Sequence, residues 1–382
     1  MATTNKYNLQ QLIYYFLKLG TIGFGGPVAL VGYMHQDLVE TKKWISEEDY
    51  KEGLALAQLA PGPLAAQLAI YIGYVDYKII GATVVGLAFI LPSFLMVVAI
   101  GYAYVQFGGL PWMQAVFYGV GAAVIGIIVI SNYKLTKKSL GKNWLLWIIF
   151  LVLAVATFLT ESENIWLILL SGVIVWFVKA PPNFLNTTNT IFFSPVLLQV
   201  SNLFSANEKL QQIWWFFLKA GAFVFGSGLA IVPFLYGGVV KEYHWLTEQQ
   251  FLDAVAVAMI TPGPVVITVG FIGYLVAGFP GASVAALATF LPCYLFTIIP
   301  APYFKKYGKN PGIKAFIDGV TAAAIGAIAG AVIVLAKRQF TDIPSILIAT
   351  TTALLLIRFK KLQEPFVILA AALIGLLIKS WF

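Results

Sequence analysis

Charge is what this sequence has least of. Asp, Glu, Lys and Arg make up 10% of its 382 residues, against 60% hydrophobic and a mean hydropathy of +0.87. Soluble domains carry about 25% charged residues, so water cannot be the only solvent of this chain. Cysteine is almost missing: Cys293 stands alone inside an apolar run, which excludes an intrachain disulfide. The two histidines, His35 and His244, are far apart in sequence, which argues against a His-rich metal site; no metal or cofactor is expected. No Gly-rich phosphate loop ending in Gly-Lys-Ser/Thr occurs, which argues against direct ATP drive. The carboxylates and histidines are too few for the catalytic constellation of an intramembrane enzyme. The net charge of +8 lies in short Lys and Arg clusters between apolar runs. That is the pattern of cytoplasmic loops, not of a nucleic-acid surface. The N-terminus lacks the basic stretch and small-residue cleavage site of a removed signal peptide.

What is present is a repeat. FLKLGTIGFGGPVAL from Phe16 recurs as FLKAGAFVFGSGLAI from Phe217, an offset of 201 residues. The same offset carries Trp44 to Trp245, Glu47 to Glu248, and Pro61-Gly62-Pro63 to Pro262-Gly263-Pro264. After a one-residue deletion it becomes 200, and matches YIGY at 71–74 to FIGY at 271–274 and Leu91-Pro92 to Leu291-Pro292. The chain is a duplication: membrane repeats at 1–180 and 211–382 flank a linker at 181–210, with an interfacial helix around 191–204.

A spanning helix needs about 20 mostly apolar residues. The pattern predicts spans near 10–34, 79–104, 112–133, 143–160 and 164–179, then 211–236, 280–303, 314–336, 343–357 and 363–380. Between the first two spans of each half lie two apolar stretches of about 15 residues, too short to cross at 1.5 Å per residue. Pro-Gly-Pro splits them, and proline cannot continue a regular helix. A re-entrant helical hairpin with Pro-Gly-Pro at its tip is therefore expected at 45–74 and again at 247–275. Lysines set the orientation. The loop at 105–111 is uncharged and 134–142 holds four lysines, whereas the counterpart of the uncharged loop, 305–314, also holds four. Equivalent loops thus prefer opposite sides. The expected fold is an all-α polytopic membrane protein of two inverted-topology repeats, each with about five spanning helices plus the hairpin.

Inverted repeats with broken helices are a transporter design, and non-helical backbone at membrane depth belongs where it lines a cavity. The breaks are the Pro-Gly-Pro tips (Pro61, Gly62, Pro63; Thr261, Pro262, Gly263, Pro264) and the Gly-rich strings Phe24, Gly25, Gly26, Pro27 and Gly226, Ser227. Helix starts near mid-membrane offer N–H groups and a positive dipole end, suited to an anion. As plain kinks or packing points the same residues would have no ligand. Lys18 and Lys219, at equivalent places, either neutralise an anion or snorkel to the interface. Glu52 and Asp253 either carry protons for coupling or sit on the solvated end of the hairpin. His35 and Asp37 are replaced by Tyr236 and Gly238, and Asp318 faces Tyr118, so any role for them is asymmetric. Trp44 and Trp245 read as interface anchors.

With FGGP at 24–27, two Pro-Gly-Pro tips, and WISE at 44–47 answered by WLTE at 245–248, the chain resembles the chromate ion transporter family in its two-domain form. Gly20 falls one residue later than in that family's approximate F-x-x-G-x-x-x-F-G-G-P pattern, and the second half reads FGSG. The resemblance implies efflux of chromate across a bacterial or archaeal inner membrane, with sulfate as a structural analogue. The residues alone do not separate chromate from sulfate. They also leave open an anion channel and a flippase for phosphorylated lipid.

Overall fold

The computed structural model describes residues 7–24, 26–107, 111–161, 164–181, 207–223, 231–304, 310–340, 342–359, 362 and 364–381; every regular element among them is helical. The first half runs α1 (Leu9–Ile22), α2 (Gly26–Met34, continued by a π-helical stretch His35–Thr41), α3 (Glu47–Leu59), α4 (Leu64–Phe107), α5 (Pro111–Leu140), α6 (Trp144–Thr160) and α7 (Ile165–Lys179). The second repeats it: α8 (Glu208–Ala222), α9 (Ile231–Tyr236, with a π-helical stretch Gly237–Glu242), α10 (Glu248–Ile260), a 3₁₀ turn Val265–Ile267, α11 (Thr268–Ile298), α12 (Pro311–Gln339), α13 (Ile343–Arg358) and α14 (Glu364–Trp381). Most of the linker lies outside the described residues, as do the interfacial helix expected at 191–204 and Gly25, Gly226 and Ser227.

Among the described residues, Leu64–Phe107, Trp112–Lys137, Val265–Tyr303 and Pro311–Lys337 are long and apolar enough to cross a membrane, and Trp144–Thr160, Trp166–Lys179 and Ile343–Arg358 are shorter apolar helices. Two expectations are corrected. The segments 10–34 and 211–236 are not single spans. α1 stops at Ile22, where Gly23 turns extended (φ −78°, ψ 97°), and α8 stops at Ala222. The lysine-rich stretch 134–142 is not all loop either, since α5 continues to Leu140. Lysine is a good helix former, so a charged end need not unwind the helix.

The repeat is visible in backbone detail. Ser46 caps α3 by accepting from the Asp49 N–H at 3.0 Å, and Thr247 caps α10 with a full capping box to Gln250. This is the physical content of WISE and WLTE: a hydroxyl at the helix start, then an acid near the positive dipole end. Equivalent left-handed residues, Lys43 (φ 52°) and His244 (φ 49°), precede the two tryptophans. Inside α4 and α11 the helix breaks at Lys78 (φ 52°, ψ −139°) and Gly278 (φ 61°, ψ −154°). There the chain folds back on itself. A Cβ on Gly73 would lie 2.4 Å from the Gly81 carbonyl oxygen, and one on Gly273 2.4 Å from that of Gly281.

The halves interlock. α5 packs on α13 and α14 of the second half, and α12 packs on α6 and α7 of the first. Glycine makes this possible: a Cβ on Gly126 would stand 2.4 Å from the Ala349 carbonyl oxygen, and one on Gly326 2.3 Å from that of Phe150. Such close backbone approach, with small residues at the contact, is how helices associate where no hydrophobic force drives them together. Lys179 adds an ion pair to Asp318 at 3.2 Å across the same boundary, so Asp318 serves the junction. Trp44 and Trp245 are half-buried. Trp44 stacks on Tyr7 (5.1 Å) under the Lys42 ammonium (4.7 Å), and Trp245 stacks on Tyr243 (4.6 Å).

Candidate functional site

The chemistry concentrates where the two Pro-Gly-Pro breaks meet the opposite halves. Gly62 (φ +141°) and Gly263 (φ +98°) hold backbone conformations that side chains strain, and both are buried. Each faces the same position of the other half. A Cβ on Gly62 would lie 3.2 Å from the Cys293 Cβ, and one on Gly263 2.0 Å from the Ser93 Oγ. Ser93 and Cys293 follow Leu91-Pro92 and Leu291-Pro292, so they are equivalent in the repeat. The first tip is thus held on α11 and the second on α4.

The second tip is also tied to the Gly-rich break of the first half. The Gly263 N–H donates to the Gly23 carbonyl at 3.0 Å. Ser93 donates its hydroxyl to the Gly20 carbonyl at 3.3 Å, both groups buried. Gly20 in turn lies so close to α4 that a Cβ would stand 2.3 Å from the Phe89 carbonyl oxygen. Gly221 repeats that approach, 2.1 Å from the Thr289 carbonyl oxygen. Two hydrogen-bond donors therefore converge on the end of α1. Both are engaged by backbone carbonyls of the first half.

Lys18, Gly23 and Phe24 line one open cavity of about 890 Å³, with Tyr15, Asp37, Lys42 and Trp44. The structure brings Lys18 to the Gly-rich break and adds Lys42, a second cation that the sequence reading passed over because it lies in a connecting segment. Asp37 accepts from the Tyr15 hydroxyl at 3.1 Å on the cavity wall. Lys219 is exposed on α8 and is not among the residues lining this cavity. Gly26 takes φ +73°, with a Cβ there 3.9 Å from the Glu364 Oε2, and Pro27 follows in the first turn of α2. Thr261 is buried, but its hydroxyl donates to the Val257 carbonyl at 2.7 Å. It therefore caps its own helix and has no proton left for a ligand. Pro262 and Pro264 flank Gly263 as buried walls; Pro63 is buried likewise, and Pro61 is partly exposed.

The hairpin acids do not share one environment. Asp253 is 4% exposed, which overturns the solvated-end reading for it. Tyr104, from the other half, donates to its Oδ2 at 2.6 Å, and Gln249 donates to Oδ1 at 2.9 Å. Glu52 is half-buried and bonds the Tyr71 hydroxyl of its own hairpin. The two tyrosines exchange places with phenylalanine across the repeat, Phe271 standing for Tyr71 and Phe304 for Tyr104. Each acid meets one tyrosine, reached by different routes. His35 also has a functional stand-in. Its Nε2 lies 2.9 Å from the Glu47 Oε2, and at the equivalent place Tyr236 donates to the Glu248 Oε1 at 3.2 Å.

Interlocked halves, broken helices and buried polar tips within an apolar helical body define a multi-pass membrane transport protein. The comparisons give the family: the chromate transporter family model matches residues 10–176 and again 211–376, and the chain belongs to that family. It is 70% identical over 377 residues to a chromate transport protein of Cupriavidus metallidurans, covering 98% of this chain and 94% of the other. It is 62% identical to a probable chromate transport protein of Synechococcus elongatus, covering 98% and 96%. A chromate transport protein of Pseudomonas aeruginosa is 31% identical, over 96% of this chain and 92% of its own. No solved structure matches.

Proposed function

We propose that this protein is a secondary transporter exporting chromate, a tetrahedral oxyanion, across the inner membrane. In this reading the two halves insert with opposite topology, and their Pro-Gly-Pro hairpins re-enter the membrane from opposite sides. The substrate binds near mid-membrane between the Gly-rich break at Gly23–Pro27 and the hairpin tips. The carrying observation is the Gly263 N–H donated to the Gly23 carbonyl, with Ser93 beside it bonding Gly20. An anion that takes these donors releases the end of α1, so binding and rearrangement share the same bonds. The cavity holding Lys18 and Lys42 supplies an approach lined with positive charge. Glu52 and Asp253 carry the coupling protons, each held by a tyrosine hydroxyl.

Uptake of labelled chromate and sulfate into inverted membrane vesicles tests this, for wild type and for Gly62→Leu with Gly263→Leu. Saturable chromate uptake lost in the double variant is the expected result. Equal use of sulfate would redefine the protein as a general oxyanion carrier. No uptake of either by well-inserted wild type would overturn the assignment.

A further inference from the structure

The two tips differ in one buried group. Gln67 sits in the first turn of α4 after Pro61-Gly62-Pro63 and is 0% exposed. Its amide lies against the glycine of the tip, so that a Cβ on Gly62 would be 2.8 Å from both Cδ and Nε2. Nε2 donates to the Pro61 carbonyl at 2.8 Å. That bond fixes which end of the amide is which. It leaves Oε1 buried with no hydrogen-bond partner among the described residues. A buried polar atom left unpaired costs about 1–3 kcal/mol, so such an atom calls for a partner that arrives.

The surroundings define that partner. The first helical bond here runs from the Gln67 N–H to the Pro63 carbonyl at 3.0 Å. The N–H groups of Leu64, Ala65 and Ala66 precede it and have no intrahelical acceptor, and Ala65 and Ala66 are buried. The tip thus presents donors and a dipole end suited to unprotonated oxygens, together with one carbonyl oxygen that takes only a hydrogen. A fully deprotonated oxyanion satisfies the first and is repelled by the second. The second half carries no amide at the equivalent place. In either repeat register the matching residue is Ile267 or Thr268, and the Thr268 hydroxyl is given to the Val265 carbonyl at 2.7 Å.

Resting on the oxyanion-transport reading above, we propose that Gln67 is a specificity-determining residue of the first-half tip. Its Oε1 accepts the hydroxyl hydrogen of a monoprotonated tetrahedral oxyanion whose other oxygens face the N–H groups of the helix start. Chromate carries such a hydrogen in part near neutral pH, whereas sulfate, of almost the same shape, does not. The amide therefore separates two anions that charge and size leave alike, by the general rule that a site built to pair a hydroxyl rejects the analogue lacking it.

The test is competition by unlabelled sulfate and unlabelled chromate against labelled chromate uptake, in inverted vesicles holding the full chain. Wild type at pH 6 is expected to favour chromate by about tenfold or more, and the chromate-to-sulfate ratio falls at pH 8. Cys293 opposite the tip, Glu52 with Tyr71, and Asp253 with Tyr104 act on both anions, so the ratio isolates the proton on the oxyanion. Gln67→Met, of similar size without the carbonyl, should weaken chromate uptake without abolishing it, with the preference reduced to about threefold or less and independent of pH. A wild-type ratio that is flat from pH 6 to 8 overturns the proposal without any variant. So does Gln67→Met with unchanged selectivity, which would leave solvent as the partner of Oε1. Either result leaves chromate transport standing, whereas absence of wild-type uptake removes the transport reading itself.

Discussion

The two halves share their backbone and differ in what the backbone carries. Both lead through a π-helical stretch and a capped helix into a Pro-Gly-Pro tip, and both fold back at residue 78 or 278. Yet Gly62 faces a thiol-bearing Cys293 and its own Gln67, while Gly263 faces the Ser93 hydroxyl and bonds Gly23. A duplicated scaffold supplies two equivalent breaks. Divergent side chains then make one tip a latch on α1 and leave the other with a buried, unpaired amide oxygen.

The largest effect should come from breaking the latch. Gly263→Ala places a methyl 2.0 Å from the Ser93 Oγ at a positive φ, and turning the hydroxyl away gives up its bond to Gly20. Loss of chromate uptake is expected, with destabilisation of about 1–3 kcal/mol from overpacking. Gly62→Ala shares the positive φ but meets the end of the Gln67 side chain at 2.8 Å rather than a latch, and should retain part of its uptake. Ser93→Ala in the Gly263→Ala background removes the clashing oxygen and should restore stability more than uptake. Vesicle uptake together with thermal unfolding in detergent separates the two effects, and a Gly263→Ala protein as active as wild type would end the latch model.

Next is the acid pair. Asp253→Asn keeps an acceptor for the Tyr104 hydroxyl and removes the titrating group, so uptake driven by an imposed pH gradient should vanish while chromate exchange at equal pH persists. Glu52→Gln, half-buried, should give a milder form of the same defect. Equal defects would mean that the halves couple symmetrically. Unaltered gradient-driven uptake in both would remove protons from the mechanism.

Stability should not distinguish the halves at the interlock. Gly126→Val and Gly326→Val push a side chain against the carbonyls of Ala349 and Phe150 at nearly the same distances, 2.4 and 2.3 Å. Each should lower stability by about 1–3 kcal/mol, and unfolding curves that differ widely would show that one half dominates the core.

How much of this was legible follows from what periodicity records. Breaks and spans show in one dimension because Gly, Pro and apolar length act locally; that is why 144–160 and 165–179 lie within a residue of the stretches expected. Partnerships across the repeat do not show. Nothing in Gly126 or Gly326 says that its neighbour is the other half's penultimate helix. Tyr104 lies far along the chain from Asp253, and its role appears only once α4 and α10 are packed together. Gln67 was passed over because a single amide in an alanine-rich stretch carries no motif. Its meaning depends on one oxygen left unpaired in three dimensions.

The smallest expected effect sharpens the comparison at its edge. Lys18 and Lys219 are equivalent in sequence and both exposed, but only Lys18 lines the cavity that reaches Gly23 and Phe24. A single exposed charge contributes modestly and is screened by salt. Lys18→Gln should therefore raise the KM for chromate by about two- to fivefold at low ionic strength, with kcat unchanged, and the difference should shrink as salt is added. Lys219→Gln should leave KM where it is. If the two substitutions behave alike, the approach of the anion is as symmetric as the repeat itself, and the asymmetry begins only at the tips.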